Sequence, residues 1–473
     1  MAYIAGDNPD PQVLFPGSLD EYVNPENPVR FIGAFVDTLD DTALEFVRNK
    51  RAGTGRPGYA PRDLLALYIY GYLYKLRSSR LLERETHRNV ELMWLLRRLT
   101  PDFKTIADFR KVNGKAIRKA CREFTVLCKK LELFGAELVA IDGSKFLAVN
   151  SRERSFTQDH LRQSIAALDE RITKYLARLD TADQDETPRS TADTALAAKI
   201  AALSERLEES RVLLGYMEET NRNEISLTDP DSRRMIVGPV TEVCYNAQVA
   251  VDSTSHLIVA EEVTNDPVDK EWLSTMALDA NEILGKEGLE VVADKGYSST
   301  GELKICLDYG IVPYVPRPLT SANQKLGLYT KEEFRYEAES DMYVCPADNA
   351  LTFRFQTSEK GRPVRYYATQ ACDGCALRSK CTRNKRGRRI SRHADEAVLE
   401  ATEQRLRKKP DMMLKRKSTV EHVFGTMKRW LDSRHFLMRG LENVRTEFSL
   451  TVLGYNLSRV LNLRSVLELV EAV

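Results

Sequence analysis

The chain has 473 residues, of which 42% are hydrophobic and 29% charged, and its formal net charge is +1. This length indicates a large core and two to four domains, and the near-zero net charge argues against a uniformly basic nucleic-acid coat. No apolar run reaches transmembrane length and the first residues lack the layout of a signal peptide, so we expect a cytoplasmic protein without membrane contact.

Helical patterns fill the first 134 residues, and this segment is strongly basic. Between Lys50 and Lys130 it contains 20 Lys and Arg residues against 7 Asp and Glu residues. A packed helical domain with this excess of positive charge suits DNA binding, although the pattern equally fits an ordinary solvated helical domain. We therefore predict an all-α N-terminal domain over residues 1–134.

Two short apolar runs each end in an aspartate close to a glycine. Leu138 to Ile141 is followed by Asp142, and Leu289 to Ala293 is followed by Asp294. Such runs are typical of buried strands, and a carboxylate at the end of one is costly unless it is paired, hydrogen-bonded or bound to a metal. The two aspartates suggest a shared metal site, while the alternative is that each one only caps the following turn.

Residues 153–225 interrupt the strand pattern with two charged helical segments. Leucine and isoleucine recur at helical steps on both sides of a polar break at Thr181 to Ser190. The pattern predicts an inserted antiparallel helical hairpin with a structural or dimerisation role. Strands then return from Val243 and alternate with helices, which predicts an α/β domain with a mixed sheet over residues 135–465.

Residues 318–395 contain loops, aromatic residues and four of the eight cysteines. Cys345, Cys372, Cys375 and Cys381 include one Cys-x-x-Cys pair, and four thiolates are a common ligand set of structural Zn²⁺. A metal would explain how loops with little apolar material fold, although the cysteines can equally be reduced loop residues. We predict a cysteine-containing loop insertion, with structural Zn²⁺ as a candidate cofactor.

The C-terminal part is helical from residue 396 onward, and we predict a short tail over residues 466–473. Between Ala376 and Lys417 the chain contains 15 Lys and Arg residues against 5 Asp and Glu residues. This excess suits the binding of phosphates, but it also fits a solvated charged segment.

Glu421 follows this basic segment as a third candidate carboxylate. Lys428 comes seven residues later and returns to the same face of a helix after nearly two turns. Ser418 to Glu421 also fits the Ser-x-x-Glu pattern of a capping box, in which Glu421 would accept a bond from the Ser418 amide. Spacing alone favours the capping box.

The motifs together resemble bacterial insertion-sequence DDE transposases over residues 12–465. The three blocks that resemble their catalytic motifs are Ile141-Asp-Gly-Ser-Lys, Ala293-Asp-Lys-Gly-Tyr-Ser and Val420-Glu-His-Val-Phe-Gly-Thr-Met-Lys-Arg. Further similar stretches are Leu227-Thr-Asp-Pro-Asp-Ser-Arg233, Tyr245-Asn-Ala-Gln-Val-Ala-Val-Asp252 and, for the N-terminal helical domain, Arg56-Pro-Gly-Tyr through Thr105-Ile-Ala-Asp-Phe-Arg110.

The resemblance implies an RNase H-like core in which Asp142, Asp294 and Glu421 hold two Mg²⁺ or Mn²⁺ ions. Related enzymes carry a Tyr-(2)-Arg-(3)-Glu-(6)-Lys signature around the last carboxylate. Here the Glu-(6)-Lys half is kept, so Lys428 is expected to contact DNA phosphate. The first half is not kept, since position 414 is Leu and position 417 is Lys. Arg416 and Lys417 are therefore only candidates for the same role.

We expect a transposase that cuts at the ends of an insertion sequence and joins them to target DNA. Its partners would be double-stranded DNA, both terminal inverted repeats and target, bound by a homodimer associated with the bacterial nucleoid. Two alternatives use the same residues: a metal-dependent endonuclease without strand transfer, and a DNA-binding remnant without catalysis.

Overall fold

The computed structural model describes residues 18–47, 58–150, 154–183, 191–318, 322–359 and 362–473. The first two residues of the block that begins at Arg56, and most of the polar break at Thr181 to Ser190, lie outside this part. Within it, none of the helices has the length and apolar character needed to span a membrane.

The first part of the chain is helical, as predicted. Its helices are α1 (Pro28–Thr38), α2 (Asp41–Leu44), α3 (Pro61–Leu73), α4 (Ser79–Thr86), α5 (Val90–Leu95), α6 (Phe103–Val112) and α7 (Gly114–Lys130). Asn27, Asn89 and Asp102 cap α1, α5 and α6 by accepting backbone N–H groups. Proline opens α1 and α3, where its missing N–H costs nothing.

A mixed sheet forms the centre of the second part. In chain order its region contains β1 (Leu138–Leu147), β2 (Ser155–Thr157), α8 (Gln158–Asp183), α9 (Thr191–Glu219), β3 (Glu224–Ser226), β4 (Arg233–Val237), β5 (Val240–Asp252), β6 (Ile258–Thr264), α10 (Leu273–Leu284), β7 (Glu290–Val292), α11 (Thr300–Asp308) and β8 (Val312–Tyr314). The strand order is β4–β5–β1–β7–β8. In addition, β6 pairs with the C-terminal half of β5. β5 is antiparallel to β4, β6 and β1, whereas β1, β7 and β8 are parallel.

Helices cover both faces of this sheet, and apolar side chains of its strands are buried on each face. On one face Leu273 and Met276 of α10 and Leu303 of α11 pack against Val139 and Ile141. Antiparallel strands followed by parallel ones, with helices on both faces, confirm the expected RNase H-like mixed sheet. The helices α8 and α9 form the predicted inserted hairpin, which the short pair β2–β3 closes at its base.

Residues 318–395 are more ordered than the predicted loop insertion. They contain α12 (Ala322–Lys325), β9 (Arg335–Glu337), β10 (Met342–Val344), β11 (Ala350–Glu359), β12 (Arg362–Ala368), α13 (Arg378–Cys381) and β13 (Arg389–His393). The strands form an antiparallel sheet in the order β13–β12–β11–β10–β9. Buried Tyr343 and Tyr367 pack edge to face at its centre. The loop prediction was wrong. The core of this sheet is built mainly from aromatic side chains, so its strands lack the alternation of aliphatic residues by which strands are usually recognised in a sequence.

The chain ends with α14 (Glu396–Lys408), α15 (Met412–Gly425), a π-helical turn (Thr426–Trp430), α16 (Leu441–Leu463) and α17 (Val466–Glu471). α16 packs against β6 of the sheet and against α3 and α7 of the N-terminal helices. α17 packs on α1 and buries Val466 and Leu469 in the N-terminal core. The predicted tail over residues 466–473 was therefore wrong, because its apolar residues recur at helical spacing and complete that core.

A buried ion pair connects α16 to the N-terminal helices. Arg77, between α3 and α4, donates from Nη2 to Glu447 Oε1 of α16 at 2.6 Å. Glu447 also accepts the backbone N–H groups of Leu437 and Met438, at 2.8–2.9 Å. One carboxylate thus holds the N-terminal helices, the segment before α16 and α16 itself together.

A partly buried carboxyl group between β6 and α16 should make stability depend on pH. Glu261 accepts the Ser449 hydroxyl at 2.6 Å, and burial raises its pKa from 4.5 to about 7. Because this pKa is higher in the folded than in the unfolded chain, stability should fall as pH rises from 4.5 through 7. Glu261→Gln should raise the free energy of unfolding by about 1–3 kcal/mol at pH 8 and hardly at all at pH 4.5.

Urea unfolding at the two pH values measures this difference. Glu262→Gln is the matched control, since the neighbouring Glu262 forms an ion pair with Arg445 at 2.7 Å and its loss should not stabilise the protein. An equal gain for Glu261→Gln at both pH values would show that its ionisation is not the cause.

Candidate active site

Asp142, in the middle of β1, lies beside Asp294, which follows the end of the adjacent parallel strand β7. The register pairs Leu138 of β1 with Glu290 of β7 and Ala140 with Val292. Two residues further along each chain segment, Asp142 comes level with Asp294. Because neighbouring strands lie about 4.8 Å apart, the two carboxyl groups share one small region.

The electrostatic surroundings of Asp142 reflect this crowding. Its side chain is 18% exposed, and burial, more than any other effect, raises its pKa to about 6. Arg416 of α15 opposes this rise through an ion pair with Asp142 Oδ1 at 2.8 Å, whereas the charge of Asp294 adds to it. The pair therefore carries negative charge that its surroundings neutralise only in part.

Each aspartate uses one oxygen to accept a nearby backbone N–H. Asp142 Oδ1 accepts the Gly143 N–H at 2.9 Å, and Asp294 Oδ1 accepts the Gly296 N–H at 2.7 Å, which caps a 3₁₀ turn (Lys295–Tyr297). The turn-capping alternative is thus correct for this oxygen of Asp294, whereas β1 continues past Asp142 without a turn. Neither Oδ2 atom receives a hydrogen bond from the residues that the structure describes, so both remain available to a ligand.

Glu421 does not form a metal-binding group with this pair among the residues that the structure describes. α15 begins at Met412, and the hydroxyl of Ser418 bonds the Lys415 carbonyl inside the helix, so the capping box was a wrong interpretation. Glu421 is exposed, and it lies about 140° around the helix from Arg416, the residue that reaches Asp142. Across the described ranges, no three His, Cys, Asp or Glu side chains are grouped to hold a metal ion.

The three residues predicted to contact DNA, Lys428, Lys417 and Arg416, lie in different surroundings. Lys428 donates to Ser144 Oγ at 2.6 Å and to the Lys145 carbonyl at 2.8 Å, and burial lowers its pKa to about 8. It lies in the π-helical turn, whose wider winding changes the face expected from regular helical spacing. Lys417 is exposed on α15. Arg416, in contrast, is engaged with Asp142.

Three polar residues near the pair were missed in the sequence. Asn246 and Gln248 of β5 are completely buried, and both donate to Asp269 Oδ1 at 2.7 Å. A signal was present, because two amide side chains at alternate positions of an otherwise apolar strand require partners. Asp269 itself lies in a loop and gave no such signal.

The four grouped cysteines surround one cavity in the small antiparallel sheet domain. Cys345, Cys372, Cys375 and Cys381 all line it and are free thiols. Burial raises the pKa of the Cys381 thiol, and the other three thiols add smaller upward contributions. As they stand, the side chains are not grouped closely enough to ligate an ion, so the zinc site stays a prediction.

Metal analysis of the purified protein tests the zinc prediction. We expect about one zinc ion per chain, because four thiolates form a complete structural site. The double substitution C372S/C375S should remove it and destabilise the small sheet domain. Cys306→Ser, at a buried cysteine of α11, is the control that should keep the zinc. Wild-type protein without zinc would rule the site out.

Comparison with known protein families gives two matches along the chain. A family model described as "Transposase DDE domain" matches residues 344–461, and one described as "Transposase domain (DUF772)" matches residues 17–112. Both matches confirm the resemblance to DDE transposases seen in the motifs.

The matched DDE region contains Glu421, Lys428 and the four cysteines, while Asp142 and Asp294 lie ahead of it. No curated protein matches the chain. A cryo-EM structure of piggyBac transposase, in a synaptic complex with hairpin DNA, matches with 9% identity and a TM-score of 0.34. That match covers 94% of this chain and 79% of the other, and at this distance it says nothing about function.

Proposed function

We propose that this chain cleaves DNA at the ends of an insertion sequence in a metal-dependent reaction and joins those ends to target DNA. The observation that carries this proposal is the pair Asp142 and Asp294, level with each other on adjacent strands of a transposase. Both have one oxygen without a hydrogen bond from the described residues, and together they carry excess negative charge.

The donor set of this pair suits Mg²⁺ or Mn²⁺, since both ions prefer carboxylate oxygens. Asp142 and Asp294 would hold the metal, and we propose Glu421 of α15 as the third ligand. A bound divalent ion would activate water or a DNA 3′-hydroxyl and stabilise the leaving oxygen.

Basic residues around the site would place the DNA. Arg416 and Lys428 both bind the end of β1 near Asp142, so a phosphate that enters the site meets two cations. Lys417 and the other basic residues of 376–417 extend this positive charge, which should make DNA binding salt-dependent. We propose that the helical N-terminal domain binds the terminal inverted repeats and that two copies bring both ends together.

An in vitro joining assay with the element's own ends, target DNA and Mg²⁺ tests this function. If the chain is a transposase, the assay should give cleaved ends and joined products, and neither should form without metal. The Asp294→Asn variant should form neither product but should still bind the ends. Cleavage without joining would instead support the endonuclease alternative, and binding without cleavage would support a DNA-binding remnant.

A further inference from the structure

A third acidic residue, Asp269, lies beside the pair formed by Asp142 and Asp294. It stands in the loop between β6 and α10, and its Oδ1 accepts N–H groups from the side chains of Asn246 and Gln248 at 2.7 Å. Both amides belong to β5, the buried strand that pairs with β1. The Asp269 carboxylate is therefore held by the sheet and not only by its own loop.

The backbone of Gly143 packs directly against this carboxylate. A Cβ atom on Gly143 would lie 2.6 Å from Asp269 Oδ1 and 2.4 Å from Gln248 Nε2, so no side chain fits there. The N–H of the same glycine donates to Asp142 Oδ1. The contact with Asp269 thus fixes the peptide group that orients the Asp142 carboxylate.

The turn after Asp294 is held by the same group of residues. A Cβ atom on Gly296 would lie 2.8 Å from Asp294 Oδ1 and 3.9 Å from Asp269 Oδ2. Tyr297, the next residue, is fully buried and donates its hydroxyl to Gln248 Oε1. Since Gln248 also donates to Asp269, one connected set of side chains reaches both Gly143 of β1 and the turn after Asp294.

Lys145 balances part of the added negative charge. Its Nζ lies 3.5 Å from Asp269 Oδ1 and is otherwise a buried atom without a hydrogen-bond partner among the described residues. Three carboxylates, those of Asp142, Asp269 and Asp294, are therefore gathered near two cations that touch them, Lys145 and Arg416. This arrangement keeps the region anionic while its geometry stays fixed.

We propose that Asp269 is a positioning residue that fixes the β1 backbone after Asp142 and the turn after Asp294, so that both aspartates present their free oxygens to one cation. The proposal rests on the proposed metal-dependent function. Residues that orient metal-ligating carboxylates typically contribute about 10- to 100-fold to metal affinity or activity. Asp269 should contribute within that range without touching the DNA.

Mn²⁺ binding to the full-length protein, measured by electron paramagnetic resonance without DNA, tests this role directly. Asp269→Ala should weaken Mn²⁺ binding about 10- to 100-fold. Asp269→Asn keeps an oxygen that accepts both amide N–H groups, so it should restore binding to within about threefold of wild type. Asp266→Ala is the matched control, because Asp266 lies in the same loop but its side chain binds Thr264 and Trp272 instead.

Binding to element ends is measured on the same proteins and should be unchanged in all of them. Asp269→Ala should unfold at a lower temperature, because the buried amides of Asn246 and Gln248 lose an acceptor, so Mn²⁺ binding is measured well below that temperature. Asp269→Asn and Asp266→Ala should unfold close to wild type. The proposal would be overturned if the Asp269→Ala variant bound Mn²⁺ as tightly as the wild type does. Equal loss in the Ala and Asn variants would also overturn it, because the charge and not the hydrogen bonds would then matter. If wild-type protein binds Mn²⁺ but cuts no DNA, the proposed function fails while the binding data still decide on Asp269.

Discussion

Asp142→Asn should lower the rate of metal-dependent cleavage by at least about 1,000-fold. The variant should still bind element ends, and it should be more stable than wild type at neutral pH. An amide cannot supply the negative charge that a divalent ion requires, so activity is lost. Stability moves in the opposite direction because the pKa of Asp142 is raised to about 6 even with Arg416 beside it. The neutral form is thus preferred in the folded protein.

The sign of the stability change depends on pH. A carboxyl group whose pKa rises from 3.8 to about 6 on folding lowers stability as pH rises through that interval. At pH 7.5 the ionised Asp142 therefore destabilises the protein by up to about 3 kcal/mol, and Asp142→Asn should recover part of this. At pH 4 the variant and wild type should unfold alike.

Cleavage assays and thermal unfolding at both pH values make the comparison. Asp308→Asn, at an exposed aspartate that ends α11, should change neither property. Opposite effects on activity and stability are the mark of a residue kept for function. A cleaving Asp142→Asn variant would show that this carboxylate is not part of the chemistry.

Glu447→Ala should lower the free energy of unfolding by about 3–5 kcal/mol, the largest loss we expect from a single substitution away from the site. It would leave the Arg77 guanidinium buried without its counter-ion and the N–H groups of Leu437 and Met438 without their acceptor. Such uncompensated groups cost far more than the interaction itself contributes.

Urea unfolding followed by circular dichroism measures this loss. Glu442→Ala is the control on the same helix, since Glu442 is an exposed partner of Arg118 and Arg445 and should contribute less than about 1 kcal/mol. A loss for Glu447→Ala as small as that of the control would mean that the N-terminal helices are not held through this carboxylate.

The sequence predicted the structure best where the local pattern of apolar residues matches the burial found in the fold. Asp142 and Asp294 stand at the ends of short apolar runs, and the parallel pairing of β1 with β7 brings them level. The order of strands and helices was likewise sufficient for the mixed sheet, because each element carries its own period of apolar residues.

The remaining features depend on contacts that sequence spacing does not contain. The capping box at Ser418 to Glu421 was a wrong interpretation because α15 already begins at Met412, and sequence spacing does not show where a helix begins. Asp269 acts through contacts with Gly143 and Gln248, which are distant in the chain. The small sheet was missed because β9 and β10 have three residues each and β11 is mostly exposed.

The packing of α16 and α17 into the N-terminal core has a consequence for synthesis of the protein. Val29 shares that core with Val466 and Leu469, so the core cannot close until residues through Leu469 have left the ribosome. A chain that stops at Gly440 should therefore expose this core to limited proteolysis.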